Sequence, residues 1–205
     1  MSALWRGPTP LLLASRSAAR RTLLTATGIP FESCDASIDE RAVEAPLRQA
    51  GAGAATIALH LARKKALSAG ARARGQMVIG ADQTLSCEGR LFTKPQDRAA
   101  ASVQLEALAG KTHELHSAIC VVVEERILFE AVPAARLTMR PLSAAFIAAY
   151  LDEARDAVLG SVGAYQLEGL GVHLFERIEG DHFVILGLPL LPLLDFLRAE
   201  GSLQA

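Results

Sequence analysis

Segments with the patterns of strands and helices alternate along most of this 205-residue chain. Short apolar runs, such as residues 11–14 and 77–81, have the length and composition of buried strands, and longer helical patterns such as 54–69 lie between them. Other neighbouring strand patterns are joined by tight polar turns, at 88–89 and 124–125. The alternation predicts an α/β fold, and the hairpins predict a mixed rather than a purely parallel sheet.

The full pattern gives a complete set of expected elements. The predicted strands are residues 11–14, 77–87, 90–93, 114–123, 127–137, 173–178 and 183–185, and the predicted helices are 18–26, 54–69, 96–108, 143–151 and 189–198. Residues 33–52 are polar and alanine-rich, and we expect an irregular, mobile segment beside a site. No linker or composition shift divides the chain, so residues 1–205 are expected to form one α/β domain or two closely associated lobes.

Composition and charge exclude several classes of function. The net charge of −1 and the even spread of charged residues argue against a nucleic-acid-binding protein. No apolar run reaches the length of a membrane span. The three cysteines are far apart in sequence, which argues against disulfides and structural zinc and favours a reducing compartment. A cytoplasmic protein is the resulting expectation.

Polar residues stand where the predicted elements meet. Ser15, Ser17 and Arg20 lie at a strand-to-helix junction, where helix N–H groups, hydroxyls and a guanidinium can bind an anion. The same residues could instead be an N-cap followed by solvated arginines. Lys65 and Lys94 could neutralise phosphate oxygens, although a lone lysine is more often a surface group.

Asp82 is the most informative single residue. It follows the buried run 77–81, and a carboxylate at the end of a buried strand is costly unless something binds it. Metal coordination or general-base catalysis would account for it, and so would a structural hydrogen bond to a nearby loop. The glycine-rich segment 163–171 allows close backbone approach to a flat ligand, and Glu168 within it can accept paired N–H donors. Such glycines also simply make turns.

Taken together, these segments resemble the Maf family of nucleoside triphosphate pyrophosphatases, the septum-formation-inhibitor-like proteins. The resemblance runs from residue 11 to about 197, with the motifs in the family's order. The matching segments are LLLASRS at 11–17 with Arg20 and the leucine pair 23–24, VIGAD at 78–82 with Lys94-Pro95, LAGKTH at 108–113, GAYQLEG at 163–169, and GLPL at 187–190.

The resemblance implies an inosine-triphosphatase-like fold, with a long mixed sheet flanked by helices and two lobes around a central cleft. It also implies hydrolysis of a nucleoside triphosphate to the monophosphate and pyrophosphate, with a divalent cation (Mg²⁺ or Mn²⁺) and often a homodimer. The roles implied for matching residues are catalysis for Asp82, metal binding for Glu40 and Asp82, and phosphate binding for Ser15, Ser17, Arg20, Lys65 and Lys94.

Three positions bear on the base of the nucleotide. Ala19 stands where the branch of the family acting on dTTP and UTP has an arginine. Gln83 and Glu168 resemble the branch that acts on 7-methylguanosine triphosphate, and a carboxylate can accept both N1–H and N2–H of guanine. Ala19 lacks the tryptophan with which that branch stacks on its substrate. A guanine-type nucleotide is therefore expected, without a firm preference for the 7-methyl form.

Two alternatives to this activity stay open at the level of sequence. One is a non-catalytic, nucleotide-binding regulator of cell division, which would bind a nucleotide without turning it over. The other is a dTTP/UTP pyrophosphatase. The joint presence of Asp82, Glu40, Lys65 and Lys94 favours catalysis over binding alone.

Overall fold

A computed structural model describes residues 3–205. The helices are α1 (Ala18–Ala26), α2 (Glu40–Gln49), α3 (Ala54–Gly70), α4 (Arg98–Leu108), α5 (Ala144–Ala154), α6 (His182–Ile185) and α7 (Leu190–Ala199). The strands are β1 (Leu11–Ala14), β2 (Phe31–Cys34), β3 (Met77–Cys87), β4 (Arg90–Phe92), β5 (Thr112–Val123), β6 (Arg126–Ala131), β7 (Ala134–Met139) and β8 (Phe175–Glu179).

The eight strands form one mixed sheet in the order β2-β1-β3-β5-β7-β8, with β4 beside β3 and β6 beside β5. The β1 strand pairs in parallel with β2 and β3, whereas the pairs of β3 with β4, β5 with β6 and β7, and β7 with β8 are antiparallel. The predicted α/β class and mixed sheet are confirmed. The predicted hairpin at Glu88-Gly89 is confirmed too, since both residues have the positive φ of a type I′ turn.

The chain divides into two compact units, and neither is a continuous stretch of sequence. The first unit contains residues 1–83, 117–133 and 186–205, and the second contains 84–116 and 134–185. The chain passes from one unit to the other within β3 and again within β5. Each unit has a buried apolar cluster of its own, centred on α3 and β5 in the first and on α4, α5 and β7 in the second.

The structure corrects three predicted segments. Residues 33–52 are not irregular: β2 occupies their start and helix α2 lies within them. None of the α2 side chains is buried, its residues are polar on average and Pro46 lies inside it, so the segment lacks the features by which a buried helix is predicted. The predicted strand at 183–185 is part of the short helix α6, in which Asp181 Oδ1 accepts the N–H of Phe183 at 2.7 Å. The predicted strand 127–137 is two strands, separated at Val132-Pro133 because proline has no N–H for a ladder.

Candidate active site

The position of Asp82 is set by close packing of α3 against β3. Because side chains alternate along a strand, Gly80 and Asp82 face the same side of β3. A Cβ atom on Gly80 would lie only 2.2 Å from the carbonyl oxygen of Ala62 and 2.5 Å from the backbone nitrogen of Ala66. Only glycine allows this approach. It brings Lys65, which precedes Ala66 in α3, within reach of Asp82.

Lys65 lies between two carboxylates. Its Nζ is 2.6 Å from Asp82 Oδ1 and 2.8 Å from Glu40 Oε1. Lys65 and Asp82 are buried, with 7% and 8% of their surface exposed, whereas Glu40 is exposed at the first turn of α2. Burial raises the pKa of Asp82, and the positive charges of Lys65 and Arg20 oppose that rise. The arrangement gives a carboxylate that is more basic than usual and held in one orientation.

The start of α1 has the predicted N-cap. Ser17 Oγ accepts the N–H of Arg20 at 3.4 Å, and Ser15 Oγ accepts the N–H of Ser17 at 3.2 Å. Ser15 is buried and Ser17 is half-buried. Ala19 is half-buried within the first turn of the helix. The two hydroxyls therefore belong to the first turn of α1, as the anion-site hypothesis requires.

Arg20 is engaged with the backbone of its own unit. Its Nε donates to the carbonyl oxygen of Gly187 at 2.7 Å, and its Nη1 donates to that of Ala81 at 2.8 Å and to Ser15 Oγ at 3.3 Å. These bonds use three of the five N–H donors of the guanidinium. Burial lowers the pKa of Arg20, against the opposing effects of Asp82 and Glu40. Arg20 thus fixes the backbone of β3 directly before Asp82, and Nη2 retains donors for an anion.

Gln83, proposed from sequence as a base-specificity residue, is also held in place. Its Nε2 donates to Ser117 Oγ at 3.0 Å, and Ser117 on β5 is fully buried. A Cβ atom on Gly187, whose φ is +92°, would lie 3.6 Å from both Gln83 Oε1 and Arg20 Nε. Six of the predicted residues thus share the first unit's site with Gln83: Ser15, Ser17, Arg20, Glu40, Lys65 and Asp82.

Lys94 and Glu168 belong to the second unit, and both are exposed there. Glu168 lies in the glycine-rich segment, whose start is anchored in the core of that unit. Tyr165 Oη is 2.7 Å from His113 Nε2, and Tyr150 Oη donates to the carbonyl oxygen of Ala164 at 3.2 Å. The exposed residue Glu168 therefore follows a stretch of backbone, around residues 164–165, that is held by buried hydrogen bonds.

Two residues that contribute to the site were not predicted as members of it. Ser117 directly follows the polar first half of β5 and precedes its apolar run at 118–123, so its position in the sequence gave no signal that it belongs to the site. Gly187 was noticed only as part of a matching motif. Its role depends on its carbonyl oxygen, which accepts a hydrogen bond from Arg20. Every residue has a backbone carbonyl, so this role cannot be predicted from the type of residue.

The donor set around Lys65 suits a cation that arrives together with phosphate. Within residues 3–205 no cluster of three or more His, Cys, Asp or Glu side chains could hold a metal by itself. Asp82 and Glu40 each have a second carboxylate oxygen besides the one bound to Lys65. Mg²⁺ is commonly bound by one or two carboxylates plus substrate phosphates, so these two residues fit the predicted cation.

None of the helices in residues 3–205 is long and apolar enough to cross a membrane.

Comparison with known proteins places the chain in a family. The model of the Maf-like protein family matches residues 10–200, nearly the whole chain. This chain belongs to the Maf-like family.

Curated relatives of this Maf-like protein carry enzyme names. The nucleoside triphosphate pyrophosphatase of Nitrobacter winogradskyi is 57% identical over 98% of this chain and 99% of its own length. That of Bradyrhizobium diazoefficiens is 57% identical over 96% of both chains. A 7-methyl-GTP pyrophosphatase of Rhizobium etli is 54% identical over 95% of this chain and 98% of its own length. The predicted family is confirmed, and the predicted enzyme class agrees with the names of these relatives.

Proposed function

We propose that this Maf-like protein hydrolyses nucleoside triphosphates to the monophosphate and pyrophosphate, with Asp82 as the general base. The carrying observation is the buried Asp82 carboxylate, which lies within β3 and is held by Lys65 at 2.6 Å. Such a group is costly to bury, and carboxylates whose pKa is shifted by burial and a charged partner cluster at functional sites. The enzyme names of the close relatives support the same activity.

In the proposed reaction, Asp82 accepts a proton from water while the water oxygen bonds to the α-phosphorus. The bond from the α-phosphorus to the bridging oxygen breaks, and pyrophosphate leaves with that oxygen and its electron pair. Burial favours this role because it raises the pKa of Asp82 and makes the carboxylate a better proton acceptor. Lys65 orients the carboxylate, and Arg20 fixes the backbone of Ala81 before it.

Phosphate charge must be balanced for this reaction to proceed. We propose that Ser15, Ser17 and the free donors of Arg20 contact phosphate oxygens at the start of α1, where the helix N–H groups also point. Lys65 and Lys94 add positive charge. A divalent cation, Mg²⁺ or Mn²⁺, would be held by Asp82 and Glu40. When bound, it would neutralise charge that develops on the phosphate oxygens.

For the base, we propose a guanine-type nucleotide such as 7-methylguanosine triphosphate. Glu168 would accept N–H donors of guanine, and Gln83 and Ala19 are proposed as further determinants of base choice. The name of the Rhizobium etli relative, 7-methyl-GTP pyrophosphatase, supports this choice. A cytoplasmic location, a homodimer and the absence of nucleic-acid partners stay predictions from sequence.

The first test combines product analysis with the Asp82→Asn variant. The purified protein is incubated with Mg²⁺ or Mn²⁺ and a panel of nucleotides, and the products are separated by chromatography. We expect monophosphate and pyrophosphate from the natural chain, and a loss of about 10²- to 10⁴-fold in kcat for Asp82→Asn with nucleotide binding retained.

Asp195→Asn, an exposed position on α7, is the matched control and should keep full activity. Release of orthophosphate and a nucleoside diphosphate would reject the pyrophosphatase proposal. Nucleotide binding without any turnover by the natural chain would instead support the non-catalytic regulator.

The second test concerns base choice. Replacing Glu168 with Gln removes a charged acceptor, so kcat/KM for GTP and 7-methyl-GTP should fall about tenfold relative to UTP. The same ratio is measured for Glu176→Gln, an exposed glutamate of the second unit, as the control. An unchanged ratio in Glu168→Gln, or a natural chain that prefers dTTP and UTP, would contradict the assignment of Glu168.

A further inference from the structure

One side chain in the second unit joins the two segments to which substrate contacts are assigned there. Gln104 lies on α4, and its Nε2 donates to the carbonyl oxygen of Thr93 at 2.7 Å. Its Oε1 accepts the backbone N–H of Gly163 at 3.2 Å. A single amide group therefore contacts two pieces of backbone that are 70 residues apart in sequence, at positions 93 and 163.

The two pieces of backbone carry different parts of the proposed site. Thr93 immediately precedes Lys94, which is assigned to phosphate, and it lies beyond the end of strand β4. Gly163 begins the segment that leads to Glu168, which is assigned to the base. Lys94 and Glu168 are both exposed, and the backbone that precedes each of them contributes to its position.

The amide is suited to this double contact because it offers a donor and an acceptor on one rigid plane. Alanine would remove both bonds. Glutamate would keep an acceptor for Gly163 but would remove the donor to Thr93 and set a carboxylate against its carbonyl oxygen. The two contacts of Gln104 can thus be broken together or one at a time.

We propose that Gln104 is a positioning residue that fixes the Lys94 segment relative to the Glu168 segment, and so couples phosphate binding to base discrimination. This inference rests on the proposed function, because it takes the roles of Lys94 and Glu168 from it. Gln104 itself touches neither assigned side chain through the bonds described, and it acts through the backbone of Thr93 and Gly163.

The experiment measures dissociation constants for GTP and UTP by calorimetry in the Asp82→Asn background, and KM and kcat in the active chain. Gln104→Ala should raise KM and the dissociation constant for GTP about 5- to 30-fold, since two hydrogen bonds are lost. It should also lower the preference for GTP over UTP about threefold or more. Gln104→Glu should weaken binding of both nucleotides alike, leaving their ratio near that of the natural chain.

Two further variants complete the design. Ser102→Ala changes an exposed hydroxyl on the same helix, bonded to Glu106, and should leave all of these values unchanged. In the Glu168→Gln background, Gln104→Ala should no longer alter the GTP-to-UTP ratio, because the residue through which it acts on the base is already changed. A purely structural defect would persist in that background and would move kcat rather than the ratio.

The outcomes separate this inference from the proposed function. If Gln104→Ala matches Ser102→Ala in affinity and in the GTP-to-UTP ratio, the coupling role is overturned. It is also overturned if its effect on the ratio persists unchanged with Glu168→Gln. Should Gln104→Ala not fold, an unchanged GTP affinity in Gln104→Glu overturns it. Failure of the proposed activity is visible in the natural chain alone, and the calorimetric comparison does not depend on turnover.

Discussion

At the scale of single residues, the site depends on buried charges that compensate one another. Removing a carboxylate such as that of Asp82 from water costs several kcal/mol, about the scale of a whole domain's net stability. The ammonium of Lys65 offsets part of this cost at 2.6 Å, and Arg20 adds a second positive charge. Asp82 could be predicted as a functional candidate from sequence, because a carboxylate next to an apolar strand pattern signals a costly burial. The ion pair that stabilises it could not, since Lys65 is 17 residues away.

His113 gives a prediction about acid stability at the same scale. It is fully buried, its Nδ1 has no hydrogen-bond partner, and burial lowers its pKa from 6.5 to about 4. The unfolded chain therefore binds more protons than the folded chain between these values, and the free energy of unfolding falls as pH falls through this window. His113 alone should contribute a loss of about 2 kcal/mol between pH 7 and pH 5, measured by urea denaturation.

The His113→Gln variant does not titrate in this range, and its amide can still reach the hydroxyl of Tyr165. Its free energy of unfolding should depend less steeply on pH by the same amount. His116→Gln, on the same strand but half-buried, is the matched control. If His113→Gln keeps the slope of the natural chain, burial of a neutral histidine is not the cause of the acid sensitivity.

At the scale of elements, contact between the backbones of α3 and β3 determines the geometry of the site. Gly80 is the contact point, and a methyl group there has no space. In Gly80→Ala the helix must move away from the strand, which should lower the free energy of unfolding by about 3 kcal/mol. It should also reduce the pyrophosphatase kcat, because Lys65 moves with the helix.

Urea denaturation and the pyrophosphatase assay together test this prediction. Gly160→Ala serves as the control, since its added Cβ would meet only Gln166 Nε2 at 3.8 Å, an ordinary contact. Gly80→Ala with natural stability and natural kcat would show that the helix can shift without disturbing the ion pair.

The elements also show where sequence patterns lose their information. The long helix α3 and the apolar β3 were predicted because burial imposes a period on their residues. Helix α2 was not, because none of its side chains is buried and Pro46 interrupts it. Its boundary is nevertheless marked by Asp39, whose Oδ1 accepts the N–H of Ala42 at 3.1 Å. The bonds of Arg20 and Gln104 to backbone carbonyls left no pattern at all.

At the scale of the whole molecule, the two units share strands rather than a linker. Both β3 and β5 cross the boundary, so unfolding one unit would break strands that continue into the other. We therefore expect a single cooperative transition in urea. The chain offers one probe for each unit: its single tryptophan, Trp5, lies in the first, and its two tyrosines, Tyr150 and Tyr165, lie in the second.

Unfolding is followed by tryptophan fluorescence in the natural chain and by tyrosine fluorescence in a Trp5→Phe variant. Circular dichroism is recorded for both proteins, so that any change in stability caused by the substitution can be subtracted. After this correction the two fluorescence transitions should coincide. Two separate midpoints would show that the units unfold independently despite the shared strands.

The discontinuous first unit has a consequence for biosynthesis. A ribosome releases the chain from its N-terminus, so every segment of the second unit is available once residue 185 has emerged. The first unit has its N-terminal strands long before that, yet it must wait for residues 186–205, which supply Gly187 for Arg20 and the helix α7. The half of this protein that contains Asp82 is thus begun first and finished last, and a chain that terminates just after residue 185 has every segment of the second unit but lacks Gly187 as the acceptor for Arg20.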